Sequence, residues 1–90
     1  MAIIVTFTLS GMPVEKYEIV LRRLEAAGVG APPGRLHHVS YGNREALQVI
    51  DIFDSRRTFD EFGARLLPIL SELGVTARSE IQDTYKILKN

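Results

Sequence analysis

Leu36-His37-His38-Val39-Ser40-Tyr41, the turn Gly42-Asn43-Arg44-Glu45, and the run from Leu47 to Phe53 decide the fold. Two runs rich in β-branched and aromatic residues around a Gly/Asn-containing turn read as a β-hairpin. The flanks of this hairpin have a different period. Before it, Val14, Tyr17, Val20, Leu21, Leu24 and Gly28 recur at helical spacing, with Glu15, Lys16, Glu18, Arg22, Arg23 and Glu25 on the other faces. That is an amphipathic helix of about four turns, with Pro13 suited to its first position and Gly28 to its end. After the hairpin, Phe59, Phe62, Leu66, Ile69, Leu70 and Leu73 mark the buried face of a second helix that stops at Gly74. Asp54-Ser55 and Thr58-Phe59-Asp60-Glu61 both offer it a start. Pro68 within it costs about 3 kcal/mol unless the helix bends there.

Further outward, Ile3 to Leu9 is β-branched and aromatic, and Thr76 to Leu88 alternates loosely; both are expected to be strands. The order is then β-α-β-β-α-β. Two right-handed crossovers split around a hairpin give a four-stranded antiparallel sheet with both helices on one face, the ferredoxin-like α+β sandwich. No repeat or linker interrupts residues 1–90, which are read as one domain.

The composition narrows the function classes. A chain of 90 residues buries only roughly 60–65% of its unfolded surface, and with no cysteine its stability must come from packing or association. Eleven basic and eleven acidic residues balance to zero, without the positive footprint of a nucleic-acid binder. No apolar run approaches the roughly 20 residues of a membrane span, and the first residues lack the basic region of a signal peptide. A cytoplasmic protein with no nucleic-acid or membrane partner is the expectation. The Gly28–Gly34 loop has no lysine and is not a phosphate cradle. The hairpin lacks the basic-Gly-aromatic signature of an RNA-recognition sheet.

A two-layer sandwich leaves one sheet face uncovered. Alternation groups Ile3, Val5, Phe7 and Leu9 with Ile50 and Ile52 as the helix-facing set. It leaves Ile4, Leu47, Val49 and Phe53 on the open side. That is too much apolar surface for water. A second copy packed sheet on sheet is the economical cover, so a homodimer is expected.

His38 and Asp51 are the candidate catalytic pair. Pairing Tyr41 with Ala46 sets His38 diagonal to Asp51 on the uncovered face, where a carboxylate-oriented imidazole could serve as a general base. Alternation sends His37 to the opposite side. Thr6, Thr8, Ser40, Tyr41, Val49, Phe53 and Tyr85 are the candidate ligand-binding residues, a mainly apolar set with a few polar groups. Adjacent histidines on opposite faces do not share a metal, and neither a metal nor a cofactor is expected.

The pattern Tyr17…Leu21…Gly34-x-Leu36-x-His38…Val49-x-Asp51-x-Phe53-x-Ser55…Phe59-x-x-Phe62…Leu70…Gly74 resembles the dimeric α+β barrel superfamily, in particular small bacterial proteins related to antibiotic biosynthesis monooxygenases. The resemblance implies a homodimer, a ligand cavity between sheet and helices in each protomer, and oxygen chemistry on aromatic polyketides without a cofactor. Asp51 and Phe53 match the family's acidic–aromatic spacing in the third strand. Phe62 stands where haem-degrading members carry a histidine, which argues against that activity. Two readings follow. One is a small-molecule-binding barrel acting as a cofactor-independent oxygenase, isomerase or cyclase on an aromatic or polyketide-like substrate. The other is a non-catalytic dimerisation or ligand-sensing module.

Overall fold

The computed structural model describes residues 1–89. The elements are β1 (Ile3–Ser10), α1 (Val14–Ala26), β2 (Arg35–Asn43), β3 (Ala46–Phe53), α2 (Arg56–Glu72) and β4 (Thr76–Asp83). The sheet runs β2-β3-β1-β4 with every neighbouring pair antiparallel, the ferredoxin-like arrangement. No helix among the described residues is long and apolar enough to cross a membrane.

Local chemistry sets the element ends. Pro13 precedes α1 without a side-chain cap. The free Val14 N–H instead donates to the Arg44 carbonyl at 2.8 Å, and Leu47 N–H donates to the Met12 carbonyl at 2.9 Å. These two bonds fasten the hairpin turn to the start of α1. Ser55 is the N-cap of α2, its hydroxyl accepting from Thr58 N–H at 3.2 Å. Pro68 is exposed and α2 continues through it. Lys16 Nζ donates to the Leu73 carbonyl at the other end of α2, at 2.7 Å, where a cation suits the helix dipole.

The hairpin register is two residues from the expected one. Asn43 pairs with Ala46, Tyr41 with Gln48 and His38 with Asp51. The Asn43 side chain accepts from Glu45 N–H at 2.8 Å, and this Asx turn fixes a tighter loop. A shift of two residues preserves faces, so His38 and Asp51 still share one.

Which face they share reverses the expectation. Val5 pairs with Asp51 and Phe7 with Val49. Leu47, Val49, Asp51 and Phe53 therefore lie under the helices, all buried, while Ile50 and Ile52 are half-buried on the uncovered side. Grouping Ile50 and Ile52 with the β1 helix-facing set places Asp51 outward. The odd-numbered set, however, carries three apolar side chains, Phe53 the largest in the strand, against two, and the carboxylate finds a hydrogen-bond partner inside. Buried charge is tolerated only under that condition.

The helix-side core is built around Phe53 and Val5, both fully buried. The Phe53 ring meets Phe59 edge-on at 5.5 Å and Phe62 at 5.7 Å. Beyond Asp83 the strand ends sooner than expected. Thr84 N–H still donates to the Ala2 carbonyl at 3.0 Å, after which Tyr85 is 95% exposed.

The uncovered face remains apolar, with different residues. Ile4, Ile50 and Ile52 are half-buried at its centre, and Val39 and Tyr41 are exposed beside them on β2. Thr6, Thr8, Arg78, Glu80 and Gln82 make the β1–β4 half of the same face polar by register.

Candidate functional site

Three side chains from three elements join into one hydrogen-bonded chain under α1. Asp51 sits on β3 directly opposite His38 on β2, and its Oδ1 lies 2.5 Å from His38 Nδ1. Tyr17, on the sheet-facing stripe of α1, brings its hydroxyl to 2.7 Å from His38 Nε2. The two rings are nearly parallel, 3° apart. An ionised Asp51 accepts, so His38 Nδ1 carries a proton. In the neutral ring Nε2 then accepts from the tyrosine hydroxyl; in the doubly protonated ring Nε2 donates to it. Hydrogen positions here follow from the bonding partners. The Asp51 carboxylate is 2% exposed and the His38 side chain 22%. The carboxylate is thus committed to orienting the imidazole, while the ring keeps some access to the space above it.

That space is an apolar cleft between sheet and helices. Phe7, Leu9 and Val49 form its floor, Val20, Leu21 and Leu24 one wall, and Phe62, Leu66 and Leu70 the other. Tyr17, His38, Asp51 and Arg35 supply its polar groups. It holds about 450 Å³ of space outside atoms, including its solvent-open mouth. A mostly apolar cleft with a few convergent polar groups is the usual form of a small-molecule site. A second hollow, between α2 and β4, is larger at about 790 Å³. Its polar lining is the exposed Arg56–Asp60 ion pair and Ser79, with no histidine or tyrosine. Size favours the second hollow and chemistry favours the first; only the first brings acid–base groups together.

Several expected positions are corrected. His38 faces the helices and not the uncovered side, and His37 faces the uncovered side, because β3 is turned over relative to the expectation. Val49 lines the cleft floor. Phe53 is sealed in the core among aromatic rings and is not part of the cleft lining. Thr6, Thr8 and Tyr41 lie on the far side of the sheet. Ser40 shares the helix-side register but is exposed toward the hairpin end, outside the cleft lining. Tyr85 projects from the tail after β4. The structure therefore brings His38, Asp51 and Val49 to one site and separates the other six from it.

Two polar cleft residues, Tyr17 and Arg35, are not among the candidates that the sequence offers. Tyr17 falls on the sheet-facing stripe of α1, and the signal for its role is that a half-buried phenol needs a partner for its hydroxyl. Arg35 was hidden by a β-bulge. The register jumps between Arg35, opposite Phe53, and His37, opposite Ile52, so Leu36 has no partner. The extra residue puts Arg35 and His38 on the same face, which strict alternation forbids. No cluster of three or more metal-ligating side chains occurs among the described residues.

No protein-family model and no curated protein matches the chain. Solved structures do match. SnoaB, a cofactor-independent oxygenase from Streptomyces nogalater, is 22% identical, with 99% of this chain and 96% of that one covered and a TM-score of 0.62. A protein from Chloroflexus aurantiacus, provisionally assigned as an antibiotic biosynthesis monooxygenase, is 12% identical over 98% of this chain and 96% of its own, with a TM-score of 0.58. A de novo designed protein, Foldit4, is also 12% identical, over 94% of this chain and 100% of its own, with a TM-score of 0.64. The structural neighbours thus include monooxygenase-type proteins, and the presence of a designed chain among them shows that the likeness is one of fold.

Proposed function

We propose that this chain binds a flat aromatic or polyketide-like molecule in the helix-side cleft and acts on it as a cofactor-independent monooxygenase-type enzyme. The single observation that carries this reading is the Tyr17–His38–Asp51 chain, whose phenolic end lines a mainly apolar cleft. Dioxygen in its triplet ground state reacts slowly with closed-shell molecules. Without a metal or flavin, the substrate itself must become electron-rich, which it does by losing a proton from an acidic C–H or O–H. As the substrate gives its proton to the Tyr17 oxygen, the tyrosine's own hydroxyl proton passes to His38 Nε2, and Asp51 holds the resulting imidazolium; the reverse transfer returns a proton. The apolar walls strengthen electrostatic interactions within the cleft, and the presence of monooxygenases among the fold neighbours supports the same reaction class.

The uncovered face supports a homodimer. Ile4, Ile50, Ile52, Val39 and Tyr41 form an apolar centre that a second sheet would cover, and a two-fold closed pair is the simplest symmetric solution.

Dioxygen uptake with dithranol, a tricyclic anthrone with an acidic C–H, tests the reaction. Uptake above the buffer rate is expected, with a fall of roughly 10²- to 10⁴-fold in His38→Ala. Binding of dithranol without accelerated uptake would assign the chain to the non-catalytic, ligand-sensing class instead.

A further inference from the structure

We propose that Arg35 is the anion-recognising residue of the cleft, so that the molecule taken there carries a carboxylate or an equally ionised oxygen on its aromatic ring. This rests on reading the helix-side cleft as the ligand site. The bulge at Leu36 brings Arg35 onto the face that carries His38, and bulges commonly re-aim a side chain in this way. Its guanidinium lies 5.7 Å from the centroid of the Phe62 ring, within range of a cation–π contact. One nitrogen donates to the Gly30 carbonyl at 3.2 Å. A guanidinium offers five N–H donors in a rigid fork, yet among the described residues Arg35 takes part in no ion pair. Asp51, the buried acid of the cleft, is instead bonded to His38.

A half-buried cation held by an aromatic ring and one carbonyl, with donors to spare at the wall of a mainly apolar cleft, suits a carboxylate. The two polar groups then divide the work. Arg35 fixes the orientation of a flat acid, and Tyr17 meets a second polar group on it.

The test compares two probes of similar shape, 2-naphthoate and the neutral 2-naphthalenemethanol, by NMR titration of the full chain, following the methyl signals of Val20, Leu24 and Leu66. The naphthoate is expected to bind roughly 10- to 100-fold more tightly, the usual worth of hydrogen bonds to a charged group. Arg35→Gln should erase that preference, so that the two probes bind with equal affinity, and Arg35→Lys should restore part of it. Equal binding of both probes to the wild type, or a preference that persists in Arg35→Gln, would overturn the assignment and leave the cleft reading intact. If neither probe moves the cleft methyls, the cleft reading falls and the role of Arg35 falls with it. The wild-type comparison stands even if Arg35→Gln folds poorly.

Discussion

Replacing Asp51 by Ala removes the acceptor for His38 Nδ1 in a ring that is mostly shielded from water. An unsatisfied buried donor costs about 1–3 kcal/mol. Because water reaches part of the ring, about 2 kcal/mol is the expected loss. Tyr17→Phe removes one further bond, about 1 kcal/mol. His38→Leu leaves the Asp51 carboxylate buried and without its partner, the costliest single change of the three. Yet all three polar groups lie under helices where an apolar set would pack as well. The triple variant Tyr17→Phe, His38→Leu, Asp51→Val should therefore regain the stability of the wild type or exceed it, as other buried ion-pair replacements do. Urea unfolding at one fixed protein concentration measures this, the fixed concentration being needed if the chain dimerises. With a slope of roughly 1 kcal/mol per molar, Asp51→Ala should lower the midpoint by about 2 M. A triple variant that lost the sum of the single losses would refute the reasoning. It would show the chain to be a stabilising part of the core and not a group retained for chemistry at a cost in stability.

Two further substitutions test the packing. Ile50→Lys places a charge at the centre of the uncovered apolar face, and sedimentation should show a dimer converted to a folded 10.1 kDa monomer; an unchanged dimer would move the interface elsewhere. Gly34→Ala should cost about 1–3 kcal/mol by thermal unfolding, since Gly34 has φ of +84° and an added Cβ would lie 2.5 Å from Thr58 Oγ1. A neutral result would mean that this turn relaxes freely.

The architecture was legible in the sequence because each element carried its own period. A two-residue alternation lay between two helical stripes, and the ends of the helices were marked by Pro13, Ser55, Gly28 and Gly74. The His38–Asp51 pairing was legible too, because a register error of two residues does not change faces. The side of the sheet was not. It depended on whether Asp51 or the bulk of Leu47, Val49 and Phe53 decided the orientation of β3. Tyr17, the partner of His38 Nε2, lies 21 positions away along the chain on another element. Arg35 was illegible for a different reason. A bulge changes alternation by one residue, and nothing in Arg35-Leu36-His37 marks it in advance.

The side of the sheet on which a ligand sits is the central claim. Intermolecular NOEs between bound 2-naphthoate and assigned methyl groups can read it without a new structure. The account predicts contacts to Val20, Leu24, Val49 and Leu66, with the ring beside the Tyr17 hydroxyl. Contacts confined to Ile4, Ile50 and Ile52 would put the ligand on the opposite face and contradict it.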